Sequence, residues 1–195
     1  GSIMRYRGID MQDYREFLEE VLISEKDIQR RVVELGAEIS KDYAGQDLIL
    51  VCILRGGVMF LTDLMRHITV PHMLEFLAVS SYGVGARRSS GQSRITLDVN
   101  VDIHDRNVLL IEDIVDSGYT IKAVLELLSA RQPRSLKVCA LLDKADRREV
   151  EVPLDYSGFV IADKFVFGYG LDADEYYRNL PFIGVLSTKL YKPNA

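Results

Sequence analysis

An α/β fold with a mainly parallel central sheet flanked by helices is predicted by three observations. Residues 47–54, 108–111 and 136–142 carry runs of Leu, Ile and Val that are long on apolar character and short on charge, as strands buried on both faces are. Two of these runs lead through a turn of small residues into a helical pattern: Arg55-Gly56-Gly57 before residues 58–68, and Asp116 to Thr120 before residues 120–131. Repeated strand–turn–helix units are what a parallel sheet requires, because each crossover needs an element to return the chain. Third, 195 residues with 48% hydrophobic content can bury one core, with room for a small appended subdomain.

In order, residues 10–23 mix charge with apolar residues and end in a short strand, Val21-Leu22-Ile23. Ser24 and Asp27 form a capping-box pattern, and Ile28, Val32, Leu35, Ile39 and Tyr43 then recur at helical spacing up to Gly45, a C-terminal stop. After the helix at 58–68, Pro71 breaks the chain and residues 72–79 read as a strand with Glu75 its one charge. Residues 80–94 make a long polar loop rich in Gly, Ser and Arg; loops of that length in a compact domain are functional lids or idle solvated segments. Residues 95–101 alternate as a strand does. Pro133 ends the segment after the helix at 120–131, and the strand 136–142 closes on Asp143-Lys144. Residues 145–155 are charged and read as loop, 158–162 as a short strand, 175–178 as a helical turn and 182–187 as a last strand.

Net charge is −5, which disfavours general binding to nucleic acid or anionic membrane. No apolar run reaches the ~18 residues of a membrane span and no secretory signal pattern opens the chain, so the expectation is a cytoplasmic protein without a membrane partner. Cys52 and Cys139 lie inside apolar strand runs and read as small buried hydrophobes. His67, His72 and His104 lack zinc spacing. The chain also lacks G-x-x-x-x-G-K-[ST], a strand-linked G-x-G-x-x-G and a G-x-S-x-G elbow, which removes ordinary nucleotide P-loops, dinucleotide folds and that class of hydrolase.

The chemistry concentrates in residues 107–120, Asn-Val-Leu-Leu-Ile-Glu-Asp-Ile-Val-Asp-Ser-Gly-Tyr-Thr. A buried strand ending in a tight turn at a helix N-terminus presents free N–H groups and a positive dipole end to an anion. Three carboxylates there, Glu112, Asp113 and Asp116, would repel a bare phosphate. They make sense if the ligand also brings hydroxyls, a metal ion, or a centre that turns positive during reaction. Arg55-Gly56-Gly57, Lys144 and the segment 163–172 converge on the same sheet edge. The two glycines admit a ligand or simply make a turn, and the aromatics of 163–172 serve as core or as a stacking surface.

Val-Leu-Leu-Ile-Glu-Asp-Ile-Val-Asp-Ser-Gly-Tyr-Thr at 108–120 resembles the phosphoribosyl-pyrophosphate (PRPP) signature of type I phosphoribosyltransferases. Leu54-Arg55-Gly56-Gly57, Ser81-Tyr82, Leu141-Leu142-Asp143-Lys144, Asp163-Lys164-Phe165-Val166-Phe167-Gly168-Tyr169-Gly170-Leu171-Asp172 and Tyr176-Tyr177-Arg178 are similar, in order and spacing, to the hypoxanthine-guanine members. The resemblance covers residues 23–186. It implies the type I phosphoribosyltransferase fold, with a small hood formed by N-terminal residues and roughly 160–195 around a single phosphoribosyltransferase domain. It implies a purine-salvage enzyme that moves phosphoribosyl from PRPP to hypoxanthine or guanine, giving IMP or GMP and pyrophosphate, as a homodimer or homotetramer. Ser117, Gly118, Tyr119 and Thr120 would hold the 5′-phosphate, and Glu112 and Asp113 the ribose hydroxyls, directly or through Mg²⁺. Asp172 would ligate a second Mg²⁺ through water, and Arg55, Gly56 and Arg178 would meet pyrophosphate. Asp116 would be the general base at purine N7. Ile114, Lys144, Phe165, Val166 and Asp172 would form the purine site, with Lys144 donating to O6 and Phe165 stacking. The loop carrying Ser81 and Tyr82 would close as a lid, and the peptide before Arg55 can be cis. Two positions depart from common family usage: Tyr119 and Arg55 stand where lysine occurs in relatives.

Two rivals stay open on sequence. A xanthine-preferring transferase would share these motifs and differ in its kinetics on the three bases. A non-catalytic RNA-binding regulator on the same fold would not need Lys144 or segment 163–172, and the acidic balance opposes it.

Overall fold

The computed structural model describes residues 3–6, 9–81 and 93–193. Tyr82 and the body of the expected lid lie outside them. The chain divides into two compact units, residues 31–163 and residues 1–30 with 164–195.

In the larger unit, six strands form one sheet: β4 (Leu48–Ile53), β5 (His72–Ser81), β6 (Ser93–Leu97), β7 (Asn107–Val115), β8 (Ser135–Asp143) and β9 (Tyr156–Val160), in spatial order β6-β5-β4-β7-β8-β9. Every neighbouring pair is parallel except β5–β6 at one edge. All six residues of β4 are buried, as are the first six of β7, which explains their uniform apolar character. Helix α3 (Val58–Met65) returns the chain from β4 to β5, and α4 (Tyr119–Ser129) from β7 to β8. The core gathers Ile49, Val51, Val108, Leu110, Val124 and Val138 from these elements.

Helix α2 (Glu25–Asp42) begins where the cap residue predicts: Asp27 N–H donates to Ser24 Oγ at 3.1 Å, and Ile28, Val32, Leu35 and Ile39 are wholly buried. Gly45 has φ +75° just beyond it, the left-handed stop. Ser24→Ala is expected to lower stability by about 1 kcal/mol through loss of the cap, read as a lower denaturation midpoint at unchanged m-value.

The other unit holds a hairpin, β1 (Ile3–Tyr6) with β2 (Ile9–Gln12), the short helix α1 (Tyr14–Phe17), and a three-stranded antiparallel sheet. That sheet has the order β10 (Val166–Phe167), β11 (Ile183–Leu186), β3 (Leu18–Ile23). Phe17, Phe167, Ala173 and Leu180 form its core, with Tyr14 and Tyr177 packed against them. Phe17 meets Phe167 at 5.2 Å and Tyr191 at 4.8 Å between ring centres.

Several expectations need correction. The strand at 108–111 runs on through Glu112 and Asp113 to Val115, because pairing with β8 continues to Asp143. The polar loop is shorter than its composition suggests: Ser80 and Ser81 pair with Arg94 and Ser93. The strand after it ends at Leu97, since the N–H groups of Asn100 and Val101 turn to the Glu75 carboxylate at 3.3 and 3.2 Å. Residues 175–178 are not helical. Ala173 and Tyr176 exchange both backbone hydrogen bonds around Asp174 (φ 50°) and Glu175 (φ 75°), a two-residue hairpin loop of the mirror-image kind. The short strand expected at 158–162 is shifted to Tyr156–Val160. No helix among the described residues is long and apolar enough to cross a membrane.

Candidate active site

The carboxyl ends of β4, β7, β8 and β9 lie side by side in the sheet, and each carries a residue singled out from the sequence or a neighbour of one. At the end of β4, Leu54 N–H still donates to Leu77 O at 2.9 Å, then the chain turns at Arg55-Gly56-Gly57. The Leu54–Arg55 peptide is cis. Arg55 is exposed. A Cβ added to Gly56 would lie 1.8 Å from Asp113 Oδ2. A side chain at Gly56 would have to displace the Asp113 carboxylate, which fills that space. The close neighbour at Gly56 is thus a side chain of the protein itself.

On β7, Glu112 is 7% exposed and Asp113 more open. Each is steadied by local backbone: Asp113 N–H donates to Glu112 Oε1 at 3.0 Å and Ile114 N–H to Asp113 Oδ1 at 2.7 Å. Burial first, and the neighbouring Asp113 carboxylate second, push the Glu112 carboxyl well above its ordinary range. A cation or a diol hydroxyl delivered to this pair would relieve that cost. Among the described residues no group of three or more His, Cys, Asp or Glu is placed to hold a metal. The pair suits an ion that takes one or two carboxylates and completes its shell from substrate oxygens and water, as Mg²⁺ does with phosphate ligands.

Beyond Val115 the chain makes the anion turn. Gly118 is the N-cap of α4 at φ +96°, and no side chain caps the helix there. The first-turn N–H groups of such a helix lack intrahelical partners, so an anion can take them. The turn is braced from outside: Glu149 and Val150 N–H donate to Ser117 O at 2.9 and 3.2 Å, and Arg148 Nε donates to Asp116 O at 3.0 Å. A Cβ on Gly118 would also meet Val150 O at 2.9 Å. Ser117 and Tyr119 are partly exposed and Thr120 exposed.

Lys144, at the end of β8, is buried, its side chain 8% exposed. Its N–H donates to Val115 O at 3.0 Å, which fixes it beside the Asp116 turn. Its Nζ lies 4.0 Å from Asp116 Oδ2 and 3.7 Å from Asp163 Oδ1. Arg147, on a 3₁₀ turn (Ala145–Arg147), donates from Nε to Asp116 Oδ1 at 3.3 Å and lies 3.6 Å from Asp163 Oδ2. Arg147 is not among the residues singled out from sequence, and Asp163 opens the motif 163–172 without a role of its own, because only the sheet brings positions 116, 147 and 163 together. Ile114, which follows Asp113 on β7, is partly exposed.

The remaining candidates belong to the smaller unit. Phe165 is 67% exposed, whereas Phe167 and Tyr169 are buried, so the aromatics of 163–172 divide into one surface residue and two core residues. Val166 pairs with Val185. A cleft of about 420 Å³ is lined by Phe165, Val166, Asp172, Leu186 and Tyr191 among others. Asp172 Oδ2 accepts from Glu175 N–H at 2.8 Å. Arg178 lies 3.8 Å from Asp172 and 3.2 Å from Glu175, with its other terminal nitrogen donating to Gly170 O at 2.7 Å. Ser81 ends β5. Cys52 and Cys139 are buried, and burial pushes the Cys52 thiol up to about 12 and Cys139 higher still, so neither is a nucleophile.

A carboxylate pair with Glu112 buried, an uncapped helix N-terminus and a buried lysine thus meet at adjoining strand ends of an α/β sheet. The chain belongs to the phosphoribosyl transferase family, whose domain matches residues 23–174. The hypoxanthine-guanine phosphoribosyltransferase of Mycobacterium tuberculosis is 48% identical over 181 residues, covering 90% of this chain and 89% of the relative. The hypoxanthine phosphoribosyltransferase of Escherichia coli K12 is 47% identical over 167 residues, 85% of this chain and 93% of the relative. A crystal structure of a hypoxanthine phosphoribosyltransferase from Staphylococcus aureus superposes with a TM-score of 0.87 at 44% identity, over 91% of this chain and 96% of that one.

Proposed function

We propose that this protein is a purine-salvage transferase that moves the phosphoribosyl group of PRPP to hypoxanthine or guanine, releasing pyrophosphate and forming IMP or GMP. One observation carries the purine assignment: a buried amine and a carboxylate stand 4.0 Å apart at the ends of adjacent strands, Lys144 just beyond β8 and Asp116 just beyond β7. A 6-oxopurine presents O6 and N7 side by side on one edge. Lys144 donates to O6 while Asp116 accepts the N7 proton, so one edge is read by one donor and one acceptor.

The reaction follows from these placements. Purine N9 attacks C1′ of the ribose as the C1′–pyrophosphate bond breaks, and the proton on N7 passes to Asp116. The turn at Asp116 to Thr120 holds the 5′-phosphate through backbone N–H groups and the Ser117 and Thr120 hydroxyls. Glu112 and Asp113 take the ribose hydroxyls, directly or through Mg²⁺, and Asp172 would be the ligand of a second Mg²⁺ through water. When bound, that ion neutralises charge building on the departing pyrophosphate. Arg55 and Arg178 add positive charge for the same group, and Phe165 supplies a face for stacking. The smaller unit is the hood, and a homodimer or homotetramer in the cytoplasm is the proposed setting.

Pyrophosphate release from PRPP and Mg²⁺ on adding hypoxanthine or guanine tests the assignment, and no turnover with any 6-oxopurine would overturn it. Lys144→Gln is expected to lower kcat/KM for hypoxanthine by about 10–100-fold, the usual value of a hydrogen bond to a charged group, while adenine stays a poor substrate and the ratio between the two narrows. An unchanged ratio in side-by-side kinetics would remove Lys144 from base selection.

A further inference from the structure

The two groups assigned to the purine edge are not held by one another alone. Asp116 turns Oδ1 to Arg147 and Oδ2 to Lys144, while Asp163 turns Oδ1 to Lys144 and Oδ2 to Arg147. The four contacts, at 4.0, 3.3, 3.6 and 3.7 Å, close a ring of alternating charge with no net charge. All four residues belong to the larger unit. They come from the ends of three adjacent strands: Asp116 after β7, Lys144 and Arg147 after β8, and Asp163 after β9.

Stability does not account for this arrangement. The side chains of Asp116, Arg147 and Asp163 are 46%, 47% and 52% exposed, and ion pairs so open to water add little to folding. What the ring does is set directions. With Arg147 and Asp163 in place, each carboxylate has one oxygen claimed by arginine and one turned to Lys144. When a purine edge enters, Lys144 can swing its ammonium to O6 and Asp116 can offer an oxygen to N7. Neither carboxylate then loses its only cation, because Arg147 keeps both. Arginine is well matched to this role, since its fixed fork grips two acids at once and it stays charged throughout.

We propose that Arg147, braced by Asp163, is a positioning residue that orients Asp116 and Lys144 for the purine base. The inference rests on the base-binding reading of Asp116 and Lys144 given above. It assigns to Arg147 and Asp163 an effect on the base rather than on PRPP.

Steady-state kinetics of the full chain with Mg²⁺, PRPP and hypoxanthine provide the test, using Arg147→Gln, Arg147→Lys and Asp163→Asn. Misorienting a reacting group can cost up to about a hundredfold, so Arg147→Gln is expected to lower kcat/KM for hypoxanthine about tenfold and to leave KM for PRPP within about twofold. Arg147→Lys should regain much of the loss, since it restores a cation facing the two acids. Asp163→Asn should act in the same direction, and the double variant Arg147→Gln with Asp163→Asn should be little worse than the poorer single one, because both act through one ring. Equal loss against base and PRPP, a lysine no better than glutamine, or fully additive losses would each overturn the proposal. If Arg147→Gln does not fold, the Asp163→Asn comparison of base against PRPP decides alone. Wild-type protein inactive on every 6-oxopurine would instead defeat the functional reading itself, so the two failures are distinguishable.

Discussion

Replacing Asp116 by Asn is expected to lower turnover with hypoxanthine by about 10²–10⁴-fold, the range over which a positioned general base contributes. The substitution keeps the size of the side chain and one oxygen for hydrogen bonding. It removes the ability to accept the N7 proton, so the attacking purine stays a poorer nucleophile. Affinity for PRPP should change little. In the proposed reading backbone N–H groups hold the 5′-phosphate, and their turn is braced through the Asp116 and Ser117 carbonyls, none of which depends on the carboxylate. Titration calorimetry with PRPP and Mg²⁺, set beside steady-state kinetics, separates the two effects. Near-normal turnover would remove Asp116 from the base role. A collapse of PRPP affinity would mean instead that the carboxylate shapes the phosphate turn.

Gly56→Ala is expected to raise KM for PRPP about 10–100-fold, matching the roughly 1–3 kcal/mol that an inserted methyl group costs in a closely packed site. The added Cβ would meet Asp113 Oδ2 at 1.8 Å and Cγ at 2.6 Å, distances at which the carboxylate has to leave. Asp113 is anchored by the Ile114 N–H at 2.7 Å, so displacing it also breaks that hydrogen bond. Because Gly56 follows β4 and Asp113 lies on β7, the substitution is expected to disturb the carboxylates proposed for ribose and Mg²⁺ and to leave Lys144 and Asp116 in place. The test is a double-mutant cycle on PRPP affinity. Gly56→Ala added to Asp113→Ala should cost little more than Asp113→Ala alone, since the clash has gone. Additive losses would show that Gly56 serves PRPP by another route.

Much of this architecture is legible because the sequence states it locally. The uninterrupted apolar runs of β4, β7 and β8 are buried end to end at their centres. Ser24 and Gly45 mark the limits of α2 through a cap and a left-handed stop. The anion turn is readable because a strand, a small-residue turn and a helix follow one another within fourteen residues, 107–120. What escapes depends on neighbours remote in sequence. Glu112 and Asp113 read as the end of a strand, yet β7 continues through them because it is hydrogen-bonded to β8 as far as Asp143. Glu75 reads simply as the one charge of β5, and its carboxylate accepts from the Asn100 and Val101 N–H groups beyond the end of β6. Asp174 and Glu175 carry no glycine to announce a mirror-image turn, so a helical turn is the natural expectation. The need for Gly56 lies in the position of Asp113, 57 residues on. Arg147 and Asp163 meet Asp116 and Lys144 only once β7, β8 and β9 are side by side.

In the proposed mechanism one edge of a 6-oxopurine is read by Lys144 and deprotonated by Asp116 while the phosphate turn holds PRPP. The decisive measurement is the initial rate of pyrophosphate release with saturating PRPP and Mg²⁺, taken for hypoxanthine, guanine, xanthine and adenine side by side. Efficient turnover of hypoxanthine and guanine is expected, with adenine at least about 10⁴-fold poorer in kcat/KM, as befits a buried donor that meets an amino group instead of an oxygen. Adenine turned over as well as hypoxanthine, or no turnover with any of the four bases, would refute the mechanism.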